Sequence, residues 1–270
     1  SLKPMFESLS LEIILMLVVS GVLVGIINTL AGGGSVVTIT MFTALGLPIG
    51  VANGTNRIPV FLQNLTSTLT FLRKRMIDVK TGLLLSIPTV VGNVAGSMVA
   101  SRIDAAVFKI CMAVVLVVIL LYMIFDRHTR TFHAGRKLDI KPRHYVWFLL
   151  IGFYSGYIYI GLGYLILAVT IWSMKLDIIT ANVIKNFVIF VSTPFALAVF
   201  IYNGQVAFVC GLLHGLGNVV GAFLASHYAV GWGVKFVKIF TIVIVLFCFA
   251  DLVGIVSLHD IFYGMLASFE

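Results

Sequence analysis

GNVAGSMVAS, residues 92–101, returns as GNVVGAFLAS at residues 217–226, with Gly, Asn, Val, Gly, Ala and Ser at matching places. A match of that length between two long apolar runs reads as a duplication. Working outward, Ala52-Asn53 pairs with Ala181-Asn182, Phe61 with Phe190, Phe71 with Phe200 and Lys109-Ile110 with Lys238-Ile239, all at one spacing. Gly21 and Gly25 pair with Gly152 and Gly156 after a small shift. Small residues four apart let helix backbones approach closely in a membrane, so both GNV segments are expected to pack helices. The competing reading has Asn93 and Asn218 lining a pathway.

The setting of the repeat is a chain of 270 residues, 60% hydrophobic and 10% charged, with a mean hydropathy of +1.12. That combination excludes an ordinary water-soluble domain. Apolar runs of roughly 20 residues recur along it, each about the length a helix needs to cross a hydrocarbon core of about 30 Å. Lipid offers backbone groups no partner, so these runs are expected as helices rather than strands. The formal charge of +8 resides largely in two clusters beside the spans: Arg73, Lys74, Arg75 and Lys80, then Arg127, Arg130, Arg136, Lys137, Lys141 and Arg143. Segments 73–80 and 126–144 therefore read as cytoplasmic loops, not as a nucleic-acid surface. Cys111, Cys210 and Cys248 are widely spaced in apolar runs and suggest neither a disulfide framework nor a metal motif. The run from Leu11 to Leu30 contains Glu12, has a weak basic flank and continues into more membrane, so it reads as a retained span rather than a secretory leader.

The expected fold is an all-α polytopic membrane protein of two homologous repeats, residues 1–125 and 145–254. A basic loop, 126–144, lies between them, and a tail, 255–270, is placed at the membrane interface. In the first repeat a helix from Leu11 to Leu30 stops at Gly32, Gly33 and Gly34, and a short piece runs from Ser35 to Leu45. Gly46, Pro48, Gly50 and Gly54 mark a turn. A helix from Asn56 to Leu72 follows, then spans at Thr81–Ala100 and Ala105–Phe125. RKRMIDVK, residues 73–80, corresponds to YNGQV, residues 202–206, which has no Lys or Arg. Equivalent loops thus face opposite sides, which argues for inverted repeats of about five segments each, counting the short piece. If the short pieces dip and return instead, roughly four full spans per repeat remain and the repeats run parallel.

Positions three, four and seven apart share a helix face, so Asn53, Asn56, Arg57, Asn64 and Thr68 form a polar stripe. Asn182, Lys185, Asn186 and Thr193 repeat it, with Asn56 matched by Lys185 and Arg57 by Asn186. One cation and several amides at equivalent places suggest an anion site between the repeats, because burying such groups in a membrane is costly unless they face water or a ligand. The alternative is that Arg57 and Lys185 snorkel to headgroups. A break at Gly32, Gly33 and Gly34 would leave backbone donors at the start of the helix beginning at Ser35, as an anion requires; Asn28 and Ser35 flank it. Gly161-Leu162-Gly163, with Tyr159 and Tyr164, holds the corresponding place in the second repeat. Glu12, Asp251 and His214 are unmatched between the halves and read as structural or proton-coupling groups. No catalytic constellation, cofactor motif or metal-ligand cluster emerges.

In these motifs the chain resembles the TauE/SafE family, the sulfite exporters. The resemblance lies in the G-x-x-x-G at Gly21 to Gly25, the AGGGS break at 31–35, LGLP at 45–48 before ANGTN at 52–56, the short basic loop ending in Ile77-Asp78, and the GNVAG helix. The second half carries weaker copies. The resemblance implies secondary transport, outward, of small sulfur-containing anions such as sulfite, sulfoacetate or other organosulfonates, across the cell (inner) membrane. GLGY is a thinner second break than family members often carry, which leaves substrate identity open. An anion channel using the same stripes, or a non-transporting sensor or assembly protein, are the alternatives. The expected partners are the lipid bilayer and a small anion, and no homo-oligomer is indicated.

Overall fold

The computed structural model describes residues 10–30, 32–102 and 140–228, with isolated positions between 104 and 117 and at 246, 250 and 255. The expected span Ala105–Phe125, most of the second basic loop, Lys109, Lys238, Asp251 and the C-terminal tail fall wholly or largely outside the described residues.

The described elements are α1 (Leu11–Leu30), α2 (Ser35–Ala44), α3 (Ile49–Thr55), α4 (Arg57–Arg73) and α5 (Val79–Ala100), then α6 (Pro142–Tyr157), α7 (Leu162–Ala168), α8 (Ile178–Tyr202) and α9 (Phe208–Tyr228). A π-helical turn, Val169–Ser173, extends α7. No strand occurs among the described residues. Four of these helices, Leu11–Leu30, Val79–Ala100, Ile179–Tyr202 and Phe208–Tyr228, are long and apolar enough to cross a membrane. Their outward faces are apolar: Leu11, Leu15, Val19 and Leu23 on α1, and Leu83, Ile87 and Val91 on α5, are exposed. Small and polar residues fill the interior instead, with Gly82, Ser86, Thr89, Asn93 and Ser97 buried along α5. Leucines facing out and amides facing in are what lipid, rather than water, selects.

Two boundaries differ from the sequence reading. Gly50 and Gly54 lie inside α3 rather than in a turn, so the polar stripe begins one helix earlier. Gly54 is small for a packing reason: a Cβ there would stand 2.1 Å from the backbone oxygen of Gln205. Pro59 has no N–H for the oxygen of Thr55 and its ring crowds that oxygen, which interrupts the helix at Asn56. The equivalent α8, with Val188 in that place, runs unbroken from Ile178 to Tyr202. The second difference is that α6 starts at Pro142, inside the expected loop 126–144, with proline at the helix start where its missing N–H costs nothing.

Asp78 caps α5, its carboxylate accepting from the Thr81 N–H at 3.3 Å and the Thr81 hydroxyl at 2.7 Å. Asp177 caps α8, accepting from the N–H groups of Ile179 and Thr180 at 3.0 and 2.9 Å. The helices pack across the halves: α5 lies on α6 and α8 of the second half, while α9 lies on α1 and α4 of the first. Glycines make both seams. A Cβ on Gly92 or Gly96 would stand 2.1 Å from Leu149 O or 2.0 Å from Phe153 O, and one on Gly217 or Gly221 would stand 2.0 Å from Val18 O or 2.1 Å from Val22 O. The GNV segments thus pack helices as expected.

α4 and α8 pack against each other. Phe61 stacks on Phe190, its equivalent in the other half, with ring centroids 5.7 Å apart. Gly54, near the start of the broken helix, lies against Phe200, near the end of α8. The two equivalent helices therefore run in opposite directions past each other.

Candidate functional site

Arg57 opens α4 just after the break, and both it and Lys185 are 0% exposed. Neither snorkels. The Arg57 guanidinium donates to Ser155 O at 2.6 Å, to Gly156 O at 3.1 Å and to Asn53 Oδ1 at 3.3 Å. Asn53 Nδ2 in turn donates to Tyr157 O at 3.1 Å. These are the last carbonyls of α6, which have no partner within their own helix and form the negative end of its dipole. The rings of Tyr159 and Phe200 hold the guanidinium, 5.0 and 5.3 Å from its central carbon.

The other locus has the same plan. Lys185 Nζ donates to Asn28 O at 2.9 Å and Thr29 O at 3.0 Å, and Asn182 Nδ2 donates to Leu30 O at 2.8 Å. Each half thus supplies an amide and a cation that close the end of the other half's first helix. The cation sits one position apart in the two copies, and Asn186, which matches Arg57, donates to Asn182 O at 2.8 Å.

Between these loci lie the two breaks. Gly32 has φ +89° and Gly161 φ +68°, left-handed conformations that glycine adopts at no steric cost. A Cβ on Gly32 would stand 2.3 Å from the Cα of Gly163, so the breaks touch backbone to backbone. Gly32 N–H returns to Ile27 O at 3.1 Å and is not available to a ligand. Gly34 leads into α2, which begins at Ser35 with no side-chain cap; Gly33 and Gly34 are buried with it. Asn28 Nδ2 reaches Ser35 Oγ at 3.3 Å and Gln63 Oε1 at 3.4 Å. The expected site residues are therefore distributed over two linked loci, Asn53, Asn56 and Arg57 at the end of α6, and Asn28, Ser35, Asn182, Lys185 and Asn186 at the end of α1.

Several buried polar atoms of these residues have no protein partner: Arg57 Nε, both side-chain atoms of Asn56, and Oδ1 of Asn28, Asn182 and Asn186. Asn93 Oδ1, Asn218 Oδ1 and Gln205 Oε1, on the helix seams and the loop before α9, are likewise without a protein partner.

Gln63 was not singled out from sequence, although it lies seven residues beyond Asn56 on the same face. His214 proves to be a wholly buried bridge. Its Nδ1 lies 2.9 Å from Leu17 O, and its Nε2 lies 3.0 Å from the Thr38 hydroxyl, joining α9 to α1 and α2. Glu12 lies on the exposed start of α1.

Residues 17–252 match the family model described as "Sulfite exporter TauE/SafE". A probable membrane transporter protein, ORF9, of Sinorhizobium sp is 28% identical over 239 residues, covering 86% of this chain and 89% of the relative. A probable membrane transporter protein of Haemophilus influenzae is 24% identical over 237 residues, 85% of this chain and 90% of its own. YfcA of Escherichia coli K12, also a probable membrane transporter protein, is 24% identical over 218 residues, 80% of each chain. No solved structure matches.

Proposed function

The chain is a multi-pass membrane transporter belonging to the sulfite exporter TauE/SafE family, and from that premise we propose that it carries small sulfur-containing anions outward across the inner membrane. The substrates in this reading are sulfite, sulfoacetate and other organosulfonates. The observation that carries it is the pair of buried, unpartnered donors on adjacent residues, Arg57 Nε and Asn56 Nδ2. In this reading an oxyanion accepts from Arg57 Nε, with Asn56 Nδ2 a second buried donor on the preceding residue, and meets the positive charge of the guanidinium, whose other nitrogens are held by α6 and Asn53. The uncapped start of α2, preceded by Gly33 and Gly34, lies at the other locus, where Asn28 reaches Ser35.

The proposed architecture is a pair of inverted repeats working by alternating access, with loops 73–80 and 126–144 on the cytoplasmic side. The opposed course of α4 and α8 supports it, as does the reciprocal closure of α6 by Arg57 and α1 by Lys185. Substrate that draws on one cation loosens the end of a helix in the other half, which links binding to movement of one half against the other.

Asn56 is the residue on which to test this. It makes no hydrogen bond through its side chain although it is 1% exposed. Replacing it with leucine therefore removes no side-chain hydrogen bond and relieves an unsatisfied amide. Asn56→Leu in proteoliposomes is expected to lose flux of sulfite and sulfoacetate while its melting temperature stays the same or rises. Normal flux through that variant would sink the site.

A further inference from the structure

The start of α6 meets the end of the π-helical turn, where Arg143 Nη2 donates to Ser173 O at 3.3 Å, so α6 and α7 with its turn form a hairpin. A groove of about 610 Å³ lies between its two arms, within the range of about 300–1,000 Å³ that holds a small ligand. One wall is Arg143, Trp147 and Leu150 of α6, and the other is Leu165, Val169 and Trp172 of α7 and its turn. Steps of three and four residues put each set on one side of its helix. Trp147 and Trp172 are 47% and 44% exposed, so the groove opens outward, where a chain in a bilayer meets lipid. Neither Arg57 nor Lys185 lines it.

The groove is apolar along its length and cationic at one end. Arg143 is the charged residue among the described ones that line it. Its Nε reaches His144 Nε2 at 3.4 Å and its Nη2 reaches Ser173 O, while Nη1 has no partner among the described residues. Lys141 precedes α6 and Lys175 follows Ser173 by two residues, which adds positive charge at the same end. Asp177, just beyond, is committed to the start of α8, where it accepts from Ile179 and Thr180. Because α8 starts there and runs opposite to α4, the charged end lies on the side of Arg73, Lys74 and Arg75. Tyr154 is the lining residue of α6 farthest from Arg143. Eleven residues of helix (154 − 143) cover about 16 Å, close to the depth of one leaflet, half of a hydrocarbon core of about 30 Å.

From an apolar groove one leaflet deep, rimmed by tryptophans and closed at one end by a guanidinium, we propose that it seats an acyl chain of an anionic phospholipid whose phosphate lies at Arg143, in the leaflet on the side of loop 73–80. A zwitterionic lipid fills the same walls but brings no net charge to Arg143, so the selectivity resides in that residue. Tryptophan rings suit the boundary between headgroup and chain. At the far end the Tyr154 hydroxyl donates to Ile160 O beside the break, and the next carbonyl, that of Ser155, is held by Arg57. A seated chain therefore braces the hairpin whose tip meets the other half.

Trp147 and Trp172 are two of the three tryptophans in the chain, so a Trp232→Phe variant emits from the groove. It is reconstituted in vesicles of phosphatidylcholine and phosphatidylglycerol, with bromines on the acyl chains of one lipid at a time, and quenching gives the relative binding of the two. Phosphatidylglycerol is expected to be preferred by about fivefold, the factor that one basic residue near an anionic surface supplies, and adding Arg143→Gln should bring the ratio to about one. In detergent the unaltered protein should also melt higher with phosphatidylglycerol than with phosphatidylcholine. Equal quenching by the two lipids would reduce the groove to ordinary lipid contact and overturn the proposal. So would a preference that survives Arg143→Gln, or tryptophans that neither lipid quenches because another segment of the chain or a second copy covers them.

Discussion

The reciprocal closure of the helix ends makes a prediction that can be worked through in numbers. Arg57→Asn strips Ser155 O and Gly156 O of their donors, which stand at 2.6 and 3.1 Å in the intact protein. Two buried carbonyls left unpaired cost about 1–3 kcal/mol each, and the relief of no longer burying a guanidinium offsets part of that. A net loss of about 2–4 kcal/mol is expected, or roughly 5–12 °C in melting temperature for a chain of this size. The second half shows how to repair it. Lys185 occupies the position equivalent to Asn56 and still reaches two carbonyls of α1, at 2.9 and 3.0 Å. The double variant Asn56→Lys with Arg57→Asn copies that arrangement into the first half and should recover about half of the loss or more, well beyond the sum of two independent changes. Melting followed by fluorescence-detected size exclusion in detergent measures both proteins side by side. A double variant no more stable than Arg57→Asn alone would refute the equivalence of the two closures.

Other expectations follow from the same contacts. Gly96→Ala places a Cβ 2.0 Å from Phe153 O, forcing α5 and α6 apart, and should cost about 1–3 kcal/mol by thermal melting. Gly50→Ala, whose nearest neighbour is 3.8 Å away, should be neutral or up to about 1 kcal/mol stabilising. Gly32→Ala combines φ +89° with a 2.3 Å contact and should abolish monodisperse protein, whereas Gly46→Ala, at φ +88° with nothing within 4 Å, should lose only about 1–2 kcal/mol. His214→Ala should lower stability by about 2–4 kcal/mol, and His214→Gln should restore part of it by keeping a polar link to Leu17 O or Thr38.

Much of this protein is legible in its sequence because the glycines that form the seams have so little latitude. Gly92, Gly96, Gly217 and Gly221 each face a backbone atom of the partner helix, so the duplicated segments kept their spacing and could be aligned. The polar stripe was legible for a similar reason: helical spacing alone puts Asn53, Asn56, Arg57 and Asn64 on one face. The partners of that stripe were not legible. Arg57 and Lys185 bind main-chain carbonyls, which every residue carries, so no side chain in α1 or α6 advertises the contact. The start of the helix at Ile49 was hidden because Gly50 and Gly54 imitate a turn, when Gly54 is small to admit Gln205 and Phe200. The interruption at Asn56 is written four residues from the carbonyl it disturbs, in Pro59.

The closure of α1 by Lys185 also sets an order on assembly. Asn28 and the lysine that completes its helix end are 157 residues apart. The first helix emerges during synthesis with its final carbonyls unanswered, and they stay so until α8 has been made. Arg57, in contrast, is already in place when Ser155 and Gly156 arrive 98 and 99 residues later. The early half is thus a finished template for the end of α6 and an unfinished one at α1. A chain stopped before α8 lacks the group that seals its own beginning, and the last steps of folding are long-range ones that the late half must supply.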